Sequence, residues 1–324
     1  MNLEPLLRVE QLSVGFNTDS GPIQVTKAVS FDVPRGATVG LVGESGCGKS
    51  VTAQTIMRLL PSPPARLEAG RVMFEGVDLL SLPEKQMQKV RGERIGMVFQ
   101  EPMTSLNPTM RVESKIGEVL RLHRNLSIAS ARPLAAEILR KVGIGNPERR
   151  LRQYPFELSG GLRQRIMIAI ALICGPRLLI ADEPTTALDV TIQAQILDLL
   201  KSLQQTMQLS ILLITHDLGV VAEMCSEIVV MYAGTVVEKG SAVDVLKTPR
   251  HPYTAGLLAA SSRRAGKNGR LVTIPGTVPA PGTHRPGCSF ADRCSRVLPQ
   301  CRSAVPALRE LTSGHAAACI NPVP

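Results

Sequence analysis

The chain has 324 residues, of which 44% are hydrophobic, and its net charge is +10. This length can hold one large domain with an appendage, and the composition is that of a globular protein rather than a disordered one. No apolar run approaches the roughly 18 residues of a membrane-spanning helix, and the first residues lack a secretory signal pattern. We expect a cytoplasmic protein that keeps its seven cysteines reduced.

The positive charge is concentrated near the C-terminus, where residues 241–324 hold 11 Lys and Arg against 3 Asp and Glu. Such a tail can bind nucleic acid, an anionic membrane or an acidic partner. Aromatic residues make up only 3% of the chain and Trp is missing, so stacking platforms for bases are scarce. We interpret the tail as a solvated basic surface and expect no nucleic-acid partner.

Strands and helices are predicted to alternate along most of the chain. Residues 7–33 favour short strands with a turn at 19–22. Further strands are predicted at 37–42, 71–76, 94–99, 177–181 and 211–215. Helices are predicted at 51–60, within 114–143 and at 191–207, and a hairpin at 228–238. This alternation indicates a parallel sheet with helices on its faces, followed beyond about residue 263 by a Pro-, Gly- and Arg-rich segment.

A phosphate-binding loop follows the first buried strand. It has the G-x-x-x-x-G-K-[ST] pattern and consists of Gly43, Glu44, Ser45, Gly46, Cys47, Gly48, Lys49 and Ser50. Its backbone N–H groups can point at phosphate oxygens, Lys49 can reach the β- and γ-phosphates, and Ser50 can ligate Mg²⁺. The following helix adds its positive N-terminal dipole. The chain is therefore predicted to bind a nucleoside triphosphate.

Two further groups of residues suit phosphate chemistry. A strand ends at Asp182, which would hold Mg²⁺, and the next residue, Glu183, could deprotonate the attacking water. The sequence Leu158-Ser159-Gly160-Gly161 opens an apolar helix, so that a Ser cap and two glycines leave N–H donors accessible to a second anion. Two phosphate-binding helix starts suggest two surfaces that share nucleotide across a dimer.

The order of these motifs resembles the ATP-binding cassette (ABC) transporter ATPases over residues of about 7–260. The matching elements are residues 43–50, Gln100, residues 158–161, Asp182-Glu183, Ala187-Leu-Asp189 and His216. Three short sequence segments are similar to the ATPases of dipeptide, oligopeptide and nickel importers. These segments are residues 99–108, 184–190 and 250–254. The C-terminal cysteines are also similar to that subfamily.

This resemblance implies an α/β P-loop NTPase cassette. Its parts would be a RecA-like parallel-sheet core, an N-terminal antiparallel β part and a helical subdomain. The implied nucleotide-binding domain covers residues 1–262, with the helical subdomain at about 101–173. Residues 263–324 would form a Cys-rich extension of the oligopeptide/dipeptide transporter type.

The resemblance also assigns roles to matching residues. Phe16 would stack on adenine, His216 would contact the γ-phosphate and Asp189 would couple the two half-sites of a dimer. Glu183 would be the general base. The ligands of Mg²⁺ would be Ser50, Gln100 and Asp182, and Gln100 would also contact the attacking water. The signature residues that face the partner's ATP would be Ser159, Gly160, Gly161 and Gln164. Leu162 and Cys47 depart from the commoner residues, and we expect neither departure to affect catalysis.

Such cassettes stack head to tail with ATP between them. The implied protein is a peripheral ATPase on the cytoplasmic face of the inner membrane that energises uptake of peptides or related solutes. Its partners would be a homologous but different ATPase, two permease subunits and a solute-binding protein. The alternative is a soluble ABC protein acting on nucleic acid or ribosomes, which usually carries two cassettes or a long coiled-coil insertion. A regulator without turnover would lack Glu183.

Four cysteines fall within the C-terminal segment, namely Cys288, Cys294, Cys301 and Cys319. The segment has few apolar residues for a core of its own, and small segments of this kind often need a metal. Four thiolates suit Zn²⁺ or an iron–sulfur cluster. The C-x₂₋₄-C spacing of structural zinc sites is missing and the resemblance favours [4Fe–4S], with Zn²⁺ or incidental reduced cysteines as alternatives. The arginines expected to offset the cluster charge are Arg285, Arg293, Arg296 and Arg302.

Overall fold

The structure is a computed structural model that describes residues 4–100, 105–186, 188–261, 273–283 and 286–324. The chain divides into two compact units. The first comprises residues 1–34, 38–80 and 213–324, and the second comprises residues 35–37 and 81–212. Within the described ranges, no helix combines the length and the apolar composition that crossing a membrane requires.

An antiparallel sheet occupies the N-terminal part of the first unit. Its strands are β1 (Leu7–Thr18), β2 (Gly21–Val33), β4 (Ala65–Phe74) and β5 (Val77–Asp78), in the order β2-β1-β4-β5. Strands β1 and β2 pair from Leu7 opposite Val33 to Thr18 opposite Gly21. The strands predicted here as short are therefore 12 and 13 residues long. The register shifts along β1 let it bend while both strands continue.

The remaining strands of the first unit follow the order β11-β12-β10-β9-β3. They are β3 (Thr38–Val42), β9 (Glu227–Tyr232), β10 (Thr235–Ser241), β11 (Arg309–Thr312) and β12 (His315–Ala317). Strand β3 is buried along its whole length and runs parallel to β9. The predicted hairpin is present as β9 and β10, with positive φ angles at Ala233 and Gly234 in the turn.

The α-helices described in the first unit are α1 (Lys49–Ile56), α8 (Leu218–Met224), α9 (Ala242–Lys247) and α10 (Pro252–Ser261). A buried cluster that includes Val230, Tyr232 and Tyr253 forms its core. Phe290 of the C-terminal segment lies in the same cluster, with its ring edge-on to Tyr232 at 5.2 Å. The C-terminal segment thus packs into the core of this unit.

The second unit contains the parallel pair β6 (Ile95–Val98) and β7 (Leu178–Asp182). Strand β8 (Ser210–Thr215) spans the boundary between the units. The helices of this unit are α2 (Glu84–Val90), α3 (Val112–Arg124), α4 (Ile128–Lys141), α5 (Pro147–Leu151), α6 (Gly160–Leu172) and α7 (Val190–Met207).

The helical run predicted within 114–143 consists of two helices. Helix α3 ends at Asn125, whose φ of 53° places it in the left-handed region. Helix α4 begins after Ser127, whose hydroxyl accepts the Ser130 N–H at 3.1 Å. Pro133 lies inside α4, and Gly143 follows its end with a φ of 73°.

Candidate nucleotide site

The phosphate loop lies in the first unit and connects β3 to α1. Gly43 passes so close to the neighbouring strand that a Cβ there would lie 2.3 Å from the Met231 carbonyl oxygen. Gly48 precedes α1 with a φ of 102°, a conformation that favours glycine. The glycines at these two positions therefore fix the path of the loop into the helix.

Lys49 begins helix α1, and its side chain is 5% exposed. The ammonium group donates to the carbonyl oxygens of Gly43 at 2.8 Å and Glu44 at 3.1 Å. These contacts hold a positive charge within the loop, beside the positive end of α1. The arrangement suits an anionic ligand.

Cys47 is fully buried within the loop. Burial raises the pKa of its thiol, which favours the neutral form. Its carbonyl oxygen accepts the Gly234 N–H at 3.0 Å, which ties the loop to the β9–β10 turn.

Glu44 is held by two residues from distant parts of the first unit. Its backbone N–H donates to the Tyr253 hydroxyl at 2.8 Å. Its carboxylate accepts two hydrogen bonds from the Arg293 guanidinium, at 2.7 and 3.0 Å. Sequence reasoning missed both contacts, because Tyr253 and Arg293 are 209 and 249 residues from Glu44 and no local pattern marks either pairing.

Two other residues with predicted roles belong to the same unit. Phe16 is half-buried on β1, opposite Ile23 of β2 and Ala65 of β4. His216 is exposed and directly follows β8. The next residue, Asp217, caps α8 by accepting the Gly219 N–H at 2.8 Å.

The acidic pair lies in the second unit, where β7 ends. Asp182 is 3% exposed and Glu183 is 9% exposed, and Glu183 has a φ of 47°. The Glu183 Oε2 atom accepts the Gln100 side-chain amide at 3.0 Å and the Thr186 hydroxyl at 2.8 Å. Two donors on one oxygen fix the orientation of the carboxylate. Sequence reasoning found Gln100 but not Thr186.

The signature sequence begins helix α6, as the Ser cap predicts. The Ser159 hydroxyl accepts the Leu162 N–H at 3.4 Å, and Ser159 and Gly160 are exposed. A Cβ at Gly161 would lie 2.9 Å from Ile192 Cγ2 on α7, whereas one at Gly160 would meet nothing closer than 3.6 Å. Gly161 is therefore also required for helix packing, a reason that the sequence pattern did not show.

Gln164 is the fourth signature residue that is predicted to face the partner's ATP. The side chain is 1% exposed, and its Nε2 has no hydrogen-bond partner among the residues that the structure describes. Gln164 lies five residues after the cap, so the helix turns it towards the interior with Ile168. The role of Gln164 towards the partner's ATP stays a prediction.

Asp189 caps the N-terminus of α7. Its Oδ1 atom accepts the Ile192 N–H at 2.9 Å, and the residue lies at the exposed start of the helix. The neighbouring Ala187 and residues 101–104, which belong to phrases that carry the family resemblance, lie outside the described residues.

The four C-terminal cysteines do not form a metal site in this arrangement. Among the residues that the structure describes, no three His, Cys, Asp or Glu side chains form a group that could hold a metal ion. The sulfur atoms nevertheless accept backbone N–H groups, from Arg296 at Cys294 and from Leu298 at Cys301, each at 3.4 Å. Burial raises the pKa of the Cys288, Cys294 and Cys319 thiols, which favours neutral thiols here.

The arginines near these cysteines have other partners in the structure. Arg293 pairs with Glu44, Arg302 pairs with Asp292 at 2.7 Å, and Arg296 donates to Asn321 Oδ1 at 3.2 Å. Arginine prefers a carboxylate because its planar donors match the two oxygens. Arg285 lies outside the described residues.

Comparisons with known proteins agree with this arrangement of motifs. Residues 26–186 match the family described as ABC transporter, and residues 237–301 match the oligopeptide/dipeptide transporter C-terminal region. A probable peptide ABC transporter ATP-binding protein of Sinorhizobium fredii is 52% identical, with 97% of this chain and 94% of the relative covered. The dipeptide transport ATP-binding protein of Bacillus subtilis is 48% identical, with 98% and 95% covered.

Solved structures show the same fold. An ATP-binding cassette seen as a dimer in a post-hydrolysis state, bound to ADP and Pi, has a TM-score of 0.65 and 27% identity. The alignment covers 73% of this chain and 98% of that cassette. The chain therefore has the P-loop NTPase fold of an ABC cassette and belongs to the ABC transporter ATP-binding proteins with an oligopeptide/dipeptide-type C-terminal region.

Proposed function

We propose that the chain is the ATP-hydrolysing subunit of an ABC importer that takes up peptides. The observation that carries this proposal is the match along nearly the whole chain to ATP-binding proteins of peptide transporters. The match includes the C-terminal region, which is of the oligopeptide/dipeptide type. Membership of the ABC family supplies the reaction, hydrolysis of ATP to ADP and phosphate.

The working complex would contain a second, homologous but different ATPase and two permease subunits. A solute-binding protein would deliver the peptide, and this chain would lie peripherally on the cytoplasmic face of the inner membrane. The names of the relatives support this assembly, because they are ATP-binding proteins of peptide ABC transporters. The pairing with a different ATPase rests on the subfamily resemblance.

Nucleotide binding would begin at the phosphate loop. Lys49 would meet the β- and γ-phosphates, and the N–H groups of the loop would bind phosphate oxygens. Phe16 would stack on adenine, since its half-buried ring leaves part of its surface accessible. The hydroxyl of Ser50, the amide of Gln100 and the carboxylate of Asp182 are oxygen donors of the kind that Mg²⁺ prefers. The ion would neutralise charge on the phosphates.

Hydrolysis would depend on Glu183 as the general base. Its carboxylate is held by Gln100 and Thr186, so that one oxygen is fixed in place. Gln100 would link this carboxylate to the permease, since its side-chain amide bonds directly to Glu183. His216 would contact the γ-phosphate from the exposed end of β8.

The signature would act on the ATP of the partner cassette. Ser159 and Gly160 are exposed at the start of α6, where backbone N–H groups and the helix dipole favour an anion. Gly161 would let α6 lie against α7, and Asp189 at the start of α7 would couple the two half-sites. Gln164, whose side chain is buried in the single chain, would complete the signature.

The proposed domains are a nucleotide-binding domain at 1–262, with a helical subdomain at about 101–173, and an extension at 263–324. A metal at the four cysteines of this extension is a separate proposal, with [4Fe–4S] before Zn²⁺. Backbone N–H groups that point at sulfur favour bound thiolates, as in the contacts to Cys294 and Cys301. The placement of the described cysteine side chains does not support a bound metal. The proposed binding and hydrolysis of ATP therefore do not depend on a metal at these cysteines. Iron and zinc analysis of anaerobically purified protein tests it.

Peptide uptake tests the main proposal. A strain lacking this chain should lose uptake of labelled di- and oligopeptides, and the unmodified chain should restore it while Glu183→Gln should not. A purified complex with its permeases should show ATPase activity that rises when loaded binding protein is added. Activity that rises with RNA or ribosomes, and not with binding protein, would support the soluble alternative.

A further inference from the structure

Arg293 is a charged side chain that is 6% exposed in the C-terminal part of the first unit. It ends the short 3-10 turn Ala291–Arg293, and each of its five N–H donors has an acceptor. Nε donates to the Pro275 carbonyl at 2.9 Å. Nη1 donates to Glu44 and Tyr232, and Nη2 donates to Glu44 and Ile274.

Glu44 is the other half of this pair and belongs to the phosphate loop. Its carboxylate is 30% exposed and accepts both ends of the guanidinium fork, an arrangement that fixes direction as well as distance. The same residue contributes the carbonyl oxygen that accepts the Lys49 ammonium at 3.1 Å. Glu44 thus contacts both Arg293, through its carboxylate, and Lys49, through its carbonyl oxygen.

Two aromatic rings lie against Arg293, and a third ring, that of Tyr253, packs on both of them. The ring of Tyr232 lies 4.6 Å from that of Tyr253 and 5.2 Å from that of Phe290. The guanidinium carbon lies 5.8 Å from the centre of Tyr232 and 6.0 Å from that of Phe290. These rings exclude water from one side of the ion pair, which strengthens its electrostatic attraction.

An acidic side chain is unfavourable in a loop that binds a polyanion, because two negative groups then lie close together. We propose that Arg293 is a positioning residue of the nucleotide site, which neutralises Glu44 and holds it in place, so that the loop keeps its affinity for the triphosphate. This inference rests on the proposed function, since it concerns the same nucleotide. It also gives the C-terminal segment an effect on ATP binding.

A double-mutant cycle on the full chain tests this inference. Binding of a fluorescent ATP analogue with Mg²⁺ is measured for the unmodified chain, Arg293→Gln, Glu44→Gln and the double variant. Arg293→Gln should weaken binding about tenfold when Glu44 is present, but by less than about threefold in the Glu44→Gln background. Equal losses in both backgrounds would show that Arg293 only supports the fold, and would overturn the inference.

Salt dependence provides a second readout that a purely structural role would not change. The Glu44 carboxylate is partly exposed, so salt should screen its repulsion of the nucleotide. The defect of Arg293→Gln should therefore shrink between low salt and about 0.5 M. In the assembled ATPase the variant should raise KM for ATP more than it lowers kcat.

The chain offers a matched control in Arg302, whose pair with Asp292 is exposed on both sides in the same segment. Arg302→Gln should bind the analogue as the unmodified chain does. If Arg293→Gln does not fold, Arg293→Lys keeps the charge but loses the bidentate fork, so it should still weaken binding, and by less in the Glu44→Gln background; equal losses in both backgrounds would contradict the inference. An unmodified chain that binds no ATP would defeat the proposed function itself.

Discussion

Gln100 donates its side-chain amide to Glu183, with 3.0 Å between Nε2 and Oε2. Since Gln100 follows β6 and Glu183 follows β7, the parallel pairing of these strands brings the two side chains to the same edge. The contact orients the carboxylate that we propose as the base. It also gives any movement of Gln100 a direct effect on that carboxylate.

The first prediction concerns the base. Glu183→Gln should lower kcat about a thousandfold while ATP still binds and holds the dimer closed, because the amide keeps the shape but cannot accept a proton. Thr186→Val is a graded comparison, since it removes one of the two hydrogen bonds to Oε2 and should lower kcat only a few-fold. Single-turnover hydrolysis measures both. Hydrolysis by Glu183→Gln at the normal rate would rule out this assignment.

The second prediction concerns the cation of the loop. Lys49→Ala should weaken ATP binding at least about tenfold, because it removes the charge held against the carbonyls of Gly43 and Glu44. Lys141→Ala is the control, since its pair with Glu137 is exposed on a helix surface and contributes little. Equilibrium binding of ATP compares them. Equal affinities of the two variants would contradict the role of Lys49.

The third prediction separates the two signature glycines. Gly161→Ala should destabilise the protein by about 1–3 kcal/mol, because its Cβ would lie 2.9 Å from Ile192 Cγ2. Gly160→Ala, at a position with ordinary spacing, should instead stabilise helix α6 by up to about 1 kcal/mol. Urea unfolding measures both. Ile192→Ala should reduce the cost of Gly161→Ala, and failure to do so would show that the contact is not the cause.

The fourth prediction follows from the burial of Gln164. Within the described part of the chain its Nε2 lacks a hydrogen-bond partner, so Gln164→Leu should leave the free energy of unfolding unchanged or raise it by about 1 kcal/mol. Thermal unfolding checks this outcome. A loss of stability would contradict this prediction, because it would show that the amide makes a hydrogen bond that Leu cannot replace.

The fifth prediction concerns pH. Burial lowers the pKa of His251 to about 4, below its ordinary value of 6.5. Between these values the unfolded chain binds more protons than the folded one, so stability should be complete above about pH 6.5 and fall as the pH drops towards 4, by up to about 3 kcal/mol. His251→Asn, which keeps an acceptor for the Tyr253 N–H, should show a shallower fall from pH 7 to 5. Urea unfolding at the two pH values tests this.

The sequence predicted best the features that depend on neighbouring residues. The strand, loop and helix around Lys49, the hairpin at Ala233-Gly234 and the cap at Ser159 all follow local rules. Their residues determine backbone conformation within a few positions. The structure confirms each of these elements, with bounds that differ by a few residues.

Contacts between distant residues were not predicted. The pair of Glu44 and Arg293 joins positions that are 249 residues apart. Charge alone does not tell which negative group an arginine of the C-terminal segment will bind. The burial of Gln164 was missed for a related reason. Helix α6 is apolar around most of its circumference, so its pattern does not say which face a polar residue occupies.

Strand β12 pairs with β10 through Glu238 opposite Ala317 and Lys239 opposite Ala316. It thereby covers the backbone N–H and carbonyl groups along that side of β10. A chain shortened before residue 309 would leave this row unpaired, and exposed strand edges recruit strands from other molecules. Residues 309–324 therefore protect the edge of β10 from pairing with other molecules. Shortened forms made for crystallisation or for tags at this end should aggregate more readily than the full chain.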